Sequence, residues 1–206
     1  MKQLFFRVVV AALLLGAFAA PAPALAKVAV GEAAPDFTLT DSNGKPQSLS
    51  QYKGKTVVLE WNNPQCPFVA KHYSGNMQRQ QADAVASGVV WLTINSAAPG
   101  KEGSMDGAAA NAYVGKVAAK QTAYVLDPNG TAGHLYAART TPHMYVIDPA
   151  GVVRYMGGID SIPSTDKDDL PKATQYVRQA LAELKDGKPV SVPTSQPYGC
   201  SVKYGS

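Results

Sequence analysis

The chain contains two cysteines, Cys66 and Cys200, and their surroundings decide what chemistry is open to it. Cys66 follows the β-branched, apolar run Thr56-Val57-Val58-Leu59-Glu60-Trp61 across a short turn, and Pro67 comes next. Proline suits the first position of a helix, where no N–H is needed. That context places Cys66 where a buried strand feeds a helix. Free N–H groups and the positive end of the helix dipole favour a thiolate there, and the thiolate is the reactive form. The competing reading is an inert, buried cysteine. Cys200 lies in a proline-containing tail that carries Pro189, Pro193 and Pro197. From the last expected helix, about 16 extended residues reach roughly 50 Å, enough to return to Cys66. Three arrangements are open: Cys66 attacks and Cys200 resolves, the two form a permanent bridge stabilising the fold by about 5 kcal/mol, or Cys200 serves another protein.

Glu60, at the end of the strand before Cys66, is a candidate proton acceptor for thiol chemistry, or else a strand-end carboxylate satisfied by polar neighbours. Trp61 reads as packing beneath the turn. His72 is six residues past Cys66, about 240° around a regular helix, so the two side chains diverge and do not make a metal site. His143 follows Thr141-Pro142 at the head of another strand and is placed to approach Cys66. A soft Cu(I) site from Cys66, His143 and Cys200 is therefore the alternative chemistry. No other cofactor is expected.

The run Trp61-Asn62-Asn63-Pro64-Gln65-Cys66-Pro67-Phe68-Val69 resembles the active-site turn of the thioredoxin-like superfamily. With His72-Tyr73, the opening Ala34-Pro35-Asp36-Phe37-Thr38-Leu39, the segment Thr141-Pro142-His143-Met144-Tyr145-Val146-Ile147-Asp148 and the terminal Gly199-Cys200-Ser201-Val202-Lys203-Tyr204, it is similar to the redoxin, peroxiredoxin-like branch grouped with alkyl hydroperoxide reductases and thiol-specific antioxidants. The resemblance implies a thioredoxin-like three-layer sandwich and a cis bond at Thr141-Pro142 facing the active cysteine. It also implies Cys66 as nucleophile, faced by Thr141 and Pro142; Glu60 and Cys200 join the candidate site by their own positions. Three positions depart from the pattern. Val69 stands where a thioredoxin has its second cysteine. Asn63 stands where a peroxiredoxin has the threonine that holds peroxide. Pro142 falls on the slot of its thiolate-stabilising arginine, with Arg139 three residues earlier. Disulfides, of proteins or small molecules, are thus favoured over peroxides as substrates.

The elements that must hold these residues follow from periodicity. Strands are expected at 35–40, 56–61, 88–95, 123–127, 144–148 and 152–156, the last two as a hairpin around Pro149-Ala150-Gly151. Helices are expected at 67–86 with a bend at Gly75, at 108–120, at 131–138 and at 171–184. Alternating strands and helices argue for an α/β sandwich, a mixed central sheet flanked by helices. Residues 1–26 read as a cleavable signal peptide: Lys2 and Arg7, an apolar stretch, then Ala24-Leu25-Ala26. The stretch is about 13 residues, short of the roughly 20 that span a bilayer. Residues 27–186 then form the redoxin domain and 187–206 an extended tail. A formal charge of +4, half of it from Lys2 and Arg7 and the rest scattered, gives no stripe for nucleic acid. The expectation is a periplasmic or secreted protein without a membrane span once cleaved. Its partners would be a disulfide, thiol or peroxide substrate and an envelope thiol reductant.

Overall fold

The computed structural model describes residues 28–205; the expected signal peptide lies outside them. A seven-stranded mixed sheet forms the centre, in the order β2-β1-β5-β4-β3-β7-β8. Its strands are β1 (Thr38–Asp41), β2 (Pro46–Ser48), β3 (Val57–Trp61), β4 (Val90–Asn95), β5 (Ala123–Leu126), β7 (His143–Ile147) and β8 (Val153–Gly157). β3, β4 and β5 run parallel, while β7 pairs antiparallel with β3 and β8. β3 and β4 are buried along their whole length, as continuous apolar, β-branched runs in a covered parallel sheet must be. The helices are α1 (Pro67–His72), α2 (Asn76–Ala86), α3 (Gly107–Lys116), α4 (Thr131–Leu135) and α5 (Tyr176–Lys185).

Period-two alternation splits β3 between two cores. Val57, Leu59 and Trp61 face a cluster with Ala132 and Tyr136 from the α4 side. Val58 faces a second cluster with Met77 and Ala84 of α2, Val177 and Ala180 of α5, and Cys66. The result is the expected thioredoxin-like sandwich, a mixed sheet between helices.

Several boundaries differ from expectation for local reasons. The helix expected over 67–86 is two helices, because Gly75 adopts φ 124°, outside any helical conformation. The last helix starts at Tyr176 rather than 171: Lys172 and Ala173 donate their N–H groups back to the Asp169 carbonyl, which turns the chain before the helix can begin. α3 ends at Lys116, and Ala118 takes φ 50° two residues on. The first strand begins at Thr38, and β2, too short for a periodic signal, completes a hairpin with it. The tail is extended, as expected, but it is also paired. Residues Cys200–Ser201 (β9) run antiparallel to Thr140–Thr141 (β6) in a small separate sheet.

Candidate active site

The turn before Cys66 is built by Asn63. Its side-chain oxygen accepts the Gln65 N–H at 2.9 Å, and its carbonyl accepts the Cys66 N–H at 3.1 Å. Cys66 is extended (φ −77°, ψ 123°) and caps α1, the conformation a residue before proline prefers. The Ala70 N–H closes the first helical bond onto the Cys66 carbonyl at 2.9 Å. The side chain is fully buried, 0% exposed. As a thiol it donates to the Thr141 carbonyl at 3.0 Å, and the Thr141–Pro142 bond is cis, as the resemblance implies.

The β6–β9 pairing sets Cys200 opposite Thr141 and so beside Cys66. Both thiols are free. Their acidities diverge. Burial pushes the Cys66 thiol up, but the Cys200 thiol, the Val69 N–H, the Thr141 hydroxyl and the Cys200 backbone all favour the anion, and the net direction is down. The Val69 N–H acts through its partial charge, since no full capping bond forms at Cys66. Cys200 is pushed up to about 12, first by burial, then by its bond to Cys66 and the Cys66 charge. Of the two sulfurs, Cys66 is therefore the one that gives up its proton first.

Glu60 lies on the same face of β3 and is fully buried. Its Oε1 accepts from the Tyr73 hydroxyl at 2.7 Å and Asn62 Nδ2 at 3.3 Å. Its Oε2 accepts from Trp91 Nε1 at 2.8 Å, and from Thr93 Oγ1 and Gln81 Nε2 at 3.1 Å each. Burial raises its pKa, against these donors. Tyr113 responds to both acid sites. Burial raises its hydroxyl, Asn62 lowers it, and the Glu60 and Cys66 charges raise it again.

His143 does not approach Cys66. It pairs in register with Trp61, and its ring lies 4.7 Å from that of Tyr145, two residues on and on the same face of β7. Met144 is the residue that faces the Cys66 cluster. Strand alternation thus sends His143 to the opposite core, and the copper alternative loses its second ligand. Among the described residues no group of three His, Cys, Asp or Glu is placed to hold a metal ion. Asn63, in the peroxide-holding position, spends its amide on the Glu102 carbonyl at 3.1 Å. The Arg139 side chain is exposed.

Sequence reasoning missed a buried polar socket under the tail. Lys71 and His72 of α1 turn inward to Asp160, at 3.6 and 3.8 Å. The Tyr198 hydroxyl enters this pair, donating to Asp160 and bonding His72 Nε2 at 3.1 Å. The sequence holds a signal for it: a Lys-His pair on a short helix beside apolar neighbours, and a tyrosine two residues before Cys200.

The AhpC/TSA family profile matches residues 30–156, which include Cys66, Thr141 and Pro142. The chain belongs to the AhpC/TSA family. The matched part stops short of Cys200 and its tail. Among AhpC/TSA-like relatives, the chloroplastic peroxiredoxin Q of rice (Oryza sativa subsp. japonica) is 28% identical over 141 residues, covering 58% of this chain. The chain spans only 64% of that relative's length. In structure, an uncharacterized conserved protein of Geobacillus kaustophilus superposes with a TM-score of 0.74 at 24% identity, covering 86% of this chain and 93% of that one. A hypothetical protein of Sinorhizobium meliloti reaches the same score of 0.74 at 20% identity, over 88% and 97%. Both show the fold. A Chlorobium tepidum protein described as a candidate thiol:disulfide interchange protein DsbE is 26% identical with a TM-score of 0.51, covering 63% of this chain and 85% of that one.

Proposed function

We propose that this AhpC/TSA protein is an exported thiol–disulfide oxidoreductase of the cell envelope, with Cys66 as nucleophile and Cys200 as resolving cysteine. The observation that carries the reading is the register of β6 and β9, which sets the protonated Cys200 thiol beside the acidified Cys66. The Cys66 thiolate attacks one sulfur of a substrate disulfide and forms a mixed disulfide, and the other sulfur leaves as a thiolate. That thiolate takes up a proton. Cys200 then attacks the Cys66 sulfur, passing its proton to the second substrate sulfur as that group departs. The dithiol loses two electrons and the substrate disulfide gains them. An envelope thiol reductant restores the dithiol. Glu60, buried on the Cys66 side of the sheet, is the nearby proton store for these transfers. Thr141 and Pro142 frame the sulfur.

Disulfide exchange is favoured over peroxide reduction because Asn63 has no hydroxyl to hold peroxide and its amide is already engaged. Peroxide reduction is the second reading, supported by family membership and by peroxiredoxin Q as a relative. Export is supported by the signal-peptide pattern. No helix among the described residues is long and apolar enough to cross a membrane.

The deciding experiment is Cys200→Ser with a disulfide-bonded substrate protein. We expect a mixed disulfide to accumulate on Cys66, and none with Cys66→Ser. If no adduct forms while hydrogen peroxide oxidises Cys66 rapidly, the peroxidase reading replaces this one.

A further inference from the structure

The attack described above is in line along a disulfide bond, yet Cys66 is 0% exposed. Part of its cover is the tail: Tyr198 and Cys200 pack on the same cluster as Cys66. The tail is fastened on both sides of Cys200, and the two fastenings differ in kind.

On the inner side, Ser195 pairs with β8 through its N–H to the Met156 carbonyl at 3.2 Å. Its hydroxyl bonds the Tyr155 hydroxyl at 2.6 Å and the Gly158 N–H at 2.9 Å. Tyr198 follows, in the socket of Asp160 and His72, which are 2% and 0% exposed. On the outer side, β9 is only two residues long. Beyond it the Val202 N–H bonds the Arg139 carbonyl at 3.1 Å, and the Lys203 carbonyl accepts the Ala98 N–H at 2.8 Å. Tyr204 ends the fastening. Its ring stacks on exposed His134 at 4.1 Å, and its hydroxyl donates to the Ala138 carbonyl at 2.8 Å. Gly130 and Gly133 make room for it. A Cβ on Gly130 would meet the ring at 2.8 Å, and one on Gly133 would overlap the hydroxyl. Between the two fastenings stands Gly199, with φ 129°.

We propose that residues 199–204 are a gate over Cys66, hinged at Gly199 and latched by Tyr204 in its glycine slot, and that this gate sets how bulky a disulfide reaches the nucleophile. It rests on the reading of Cys66 as the attacking thiolate and names what controls its substrate range. The outer fastening opens first because its strand is two residues long and its tyrosine ring lies on exposed His134, whereas the inner one ends in the buried Asp160–His72 pair; local opening concentrates where the cover is exposed. Opening carries Cys200 away from Cys66 and makes room for a partner sulfur. Closing returns Cys200 to release the mixed disulfide. The gate thereby couples access to resolution: a partner held by the open form is discharged as the latch seats.

The test is alkylation of the reduced full chain by N-ethylmaleimide and by a maleimide carrying a polyethylene glycol chain, read at the Cys66 peptide by mass spectrometry. With each rate divided by that of the urea-unfolded protein, we expect the bulky reagent to be about tenfold more hindered than the small one. Tyr204→Ala should remove most of that difference, and Tyr204→Phe, which still fills the slot, should keep most of it. Equal hindrance for both reagents in the wild type overturns the gate, as does an unchanged ratio in Tyr204→Ala. If that variant does not fold, hydrogen exchange on the wild type decides: the Ala98 and Val202 amides must exchange well before those of Met156 and Ser195, and equal protection overturns the proposal. None of these readouts needs turnover. Size discrimination without exchange activity leaves the gate and removes the oxidoreductase reading, and activity without discrimination does the reverse.

Discussion

A sulfur buried on every side is a poor place for a negative charge, and at Cys66 the balance is tipped by three or four local donors. Cys200 is foremost among them. Burial, its bond to Cys66 and the Cys66 charge hold it protonated, and in turn its hydrogen bond favours ionisation of its neighbour. Removing the pair's second member has a definite sign. In Cys200→Ala the anion loses a hydrogen bond of about 1.5 kcal/mol, so roughly tenfold less thiolate is present at a given pH. The expected outcome is an alkylation-rate profile for Cys66 shifted to higher pH in this variant. A profile that stays in place would mean that Val69 and Thr141 supply the stabilisation alone. At this scale the sequence was readable where side-chain type sufficed. Cys66 after a strand, Glu60 at its end and Thr141-Pro142 before the next strand all fall around one site. His143 was misplaced because one residue of register decides which face of a strand it takes. Asp160, Lys71 and Tyr198 come from three distant segments, so the adjacent Lys-His pair on a short helix signals a buried polar site without saying which groups meet it.

The elements were legible by period and blurred at their ends. β3, β4 and β7 are mostly apolar runs, and each stands within a residue or two of its expected place. The helix broken at Gly75 and the late start of α5 depend on a glycine's φ and on carbonyl bonds that no periodicity encodes. The tail is the sharpest case. Its prolines announce an extended chain, but its pairing with two residues of β6 is a tertiary event. That pairing depends on Gly199, where any Cβ would overlap the Thr141 carbonyl. Gly199→Ala should therefore lift β9 from β6 at a cost of about 1–3 kcal/mol to the local contact, while the seven-stranded sheet, which Gly199 does not touch, keeps its melting transition nearly unchanged. Equilibration with a glutathione buffer checks this. The Cys66–Cys200 disulfide should be about tenfold or more harder to form than in the wild type, with near-native circular dichroism. An unaltered disulfide equilibrium would show that β9 is not what holds Cys200 in place.

Across the whole molecule the buried polar groups make stability depend on pH, and two histidines dominate the acid side. Burial lowers His72 to about 4, with Lys71 adding to the effect and Asp160 opposing it. Burial, followed by the Arg139 charge, lowers His143 to about 3. Both are neutral in the fold at pH values where the unfolded chain, at about 6.5, takes up a proton. The unfolded state therefore binds more protons below that value. The stability these residues contribute is whole above pH 6.5 and is lost as pH falls toward 4 and then 3, by up to about 2.7 kcal/mol per pH unit while both titrate. Glu60 works the other way. Its raised pKa makes the fold hold a proton that the unfolded chain has released, which softens the loss nearest its ordinary value of 4.5. Asp41 and Asp148, both lowered, add to the loss only below 3.8. Urea titrations at a series of pH values from 7 to 4 should show this slope, and His72→Gln should cut it by about half whatever that variant's stability at neutral pH. Because the Tyr198 hydroxyl gives its proton to Asp160, His72 meets it with Nε2–H and takes its extra proton at Nδ1, against the Asn76 amide at 3.0 Å, which loosens the α1 wall of the socket before the sheet unfolds. In the same acid range the bulky maleimide should gain access to Cys66 in the wild type ahead of global unfolding.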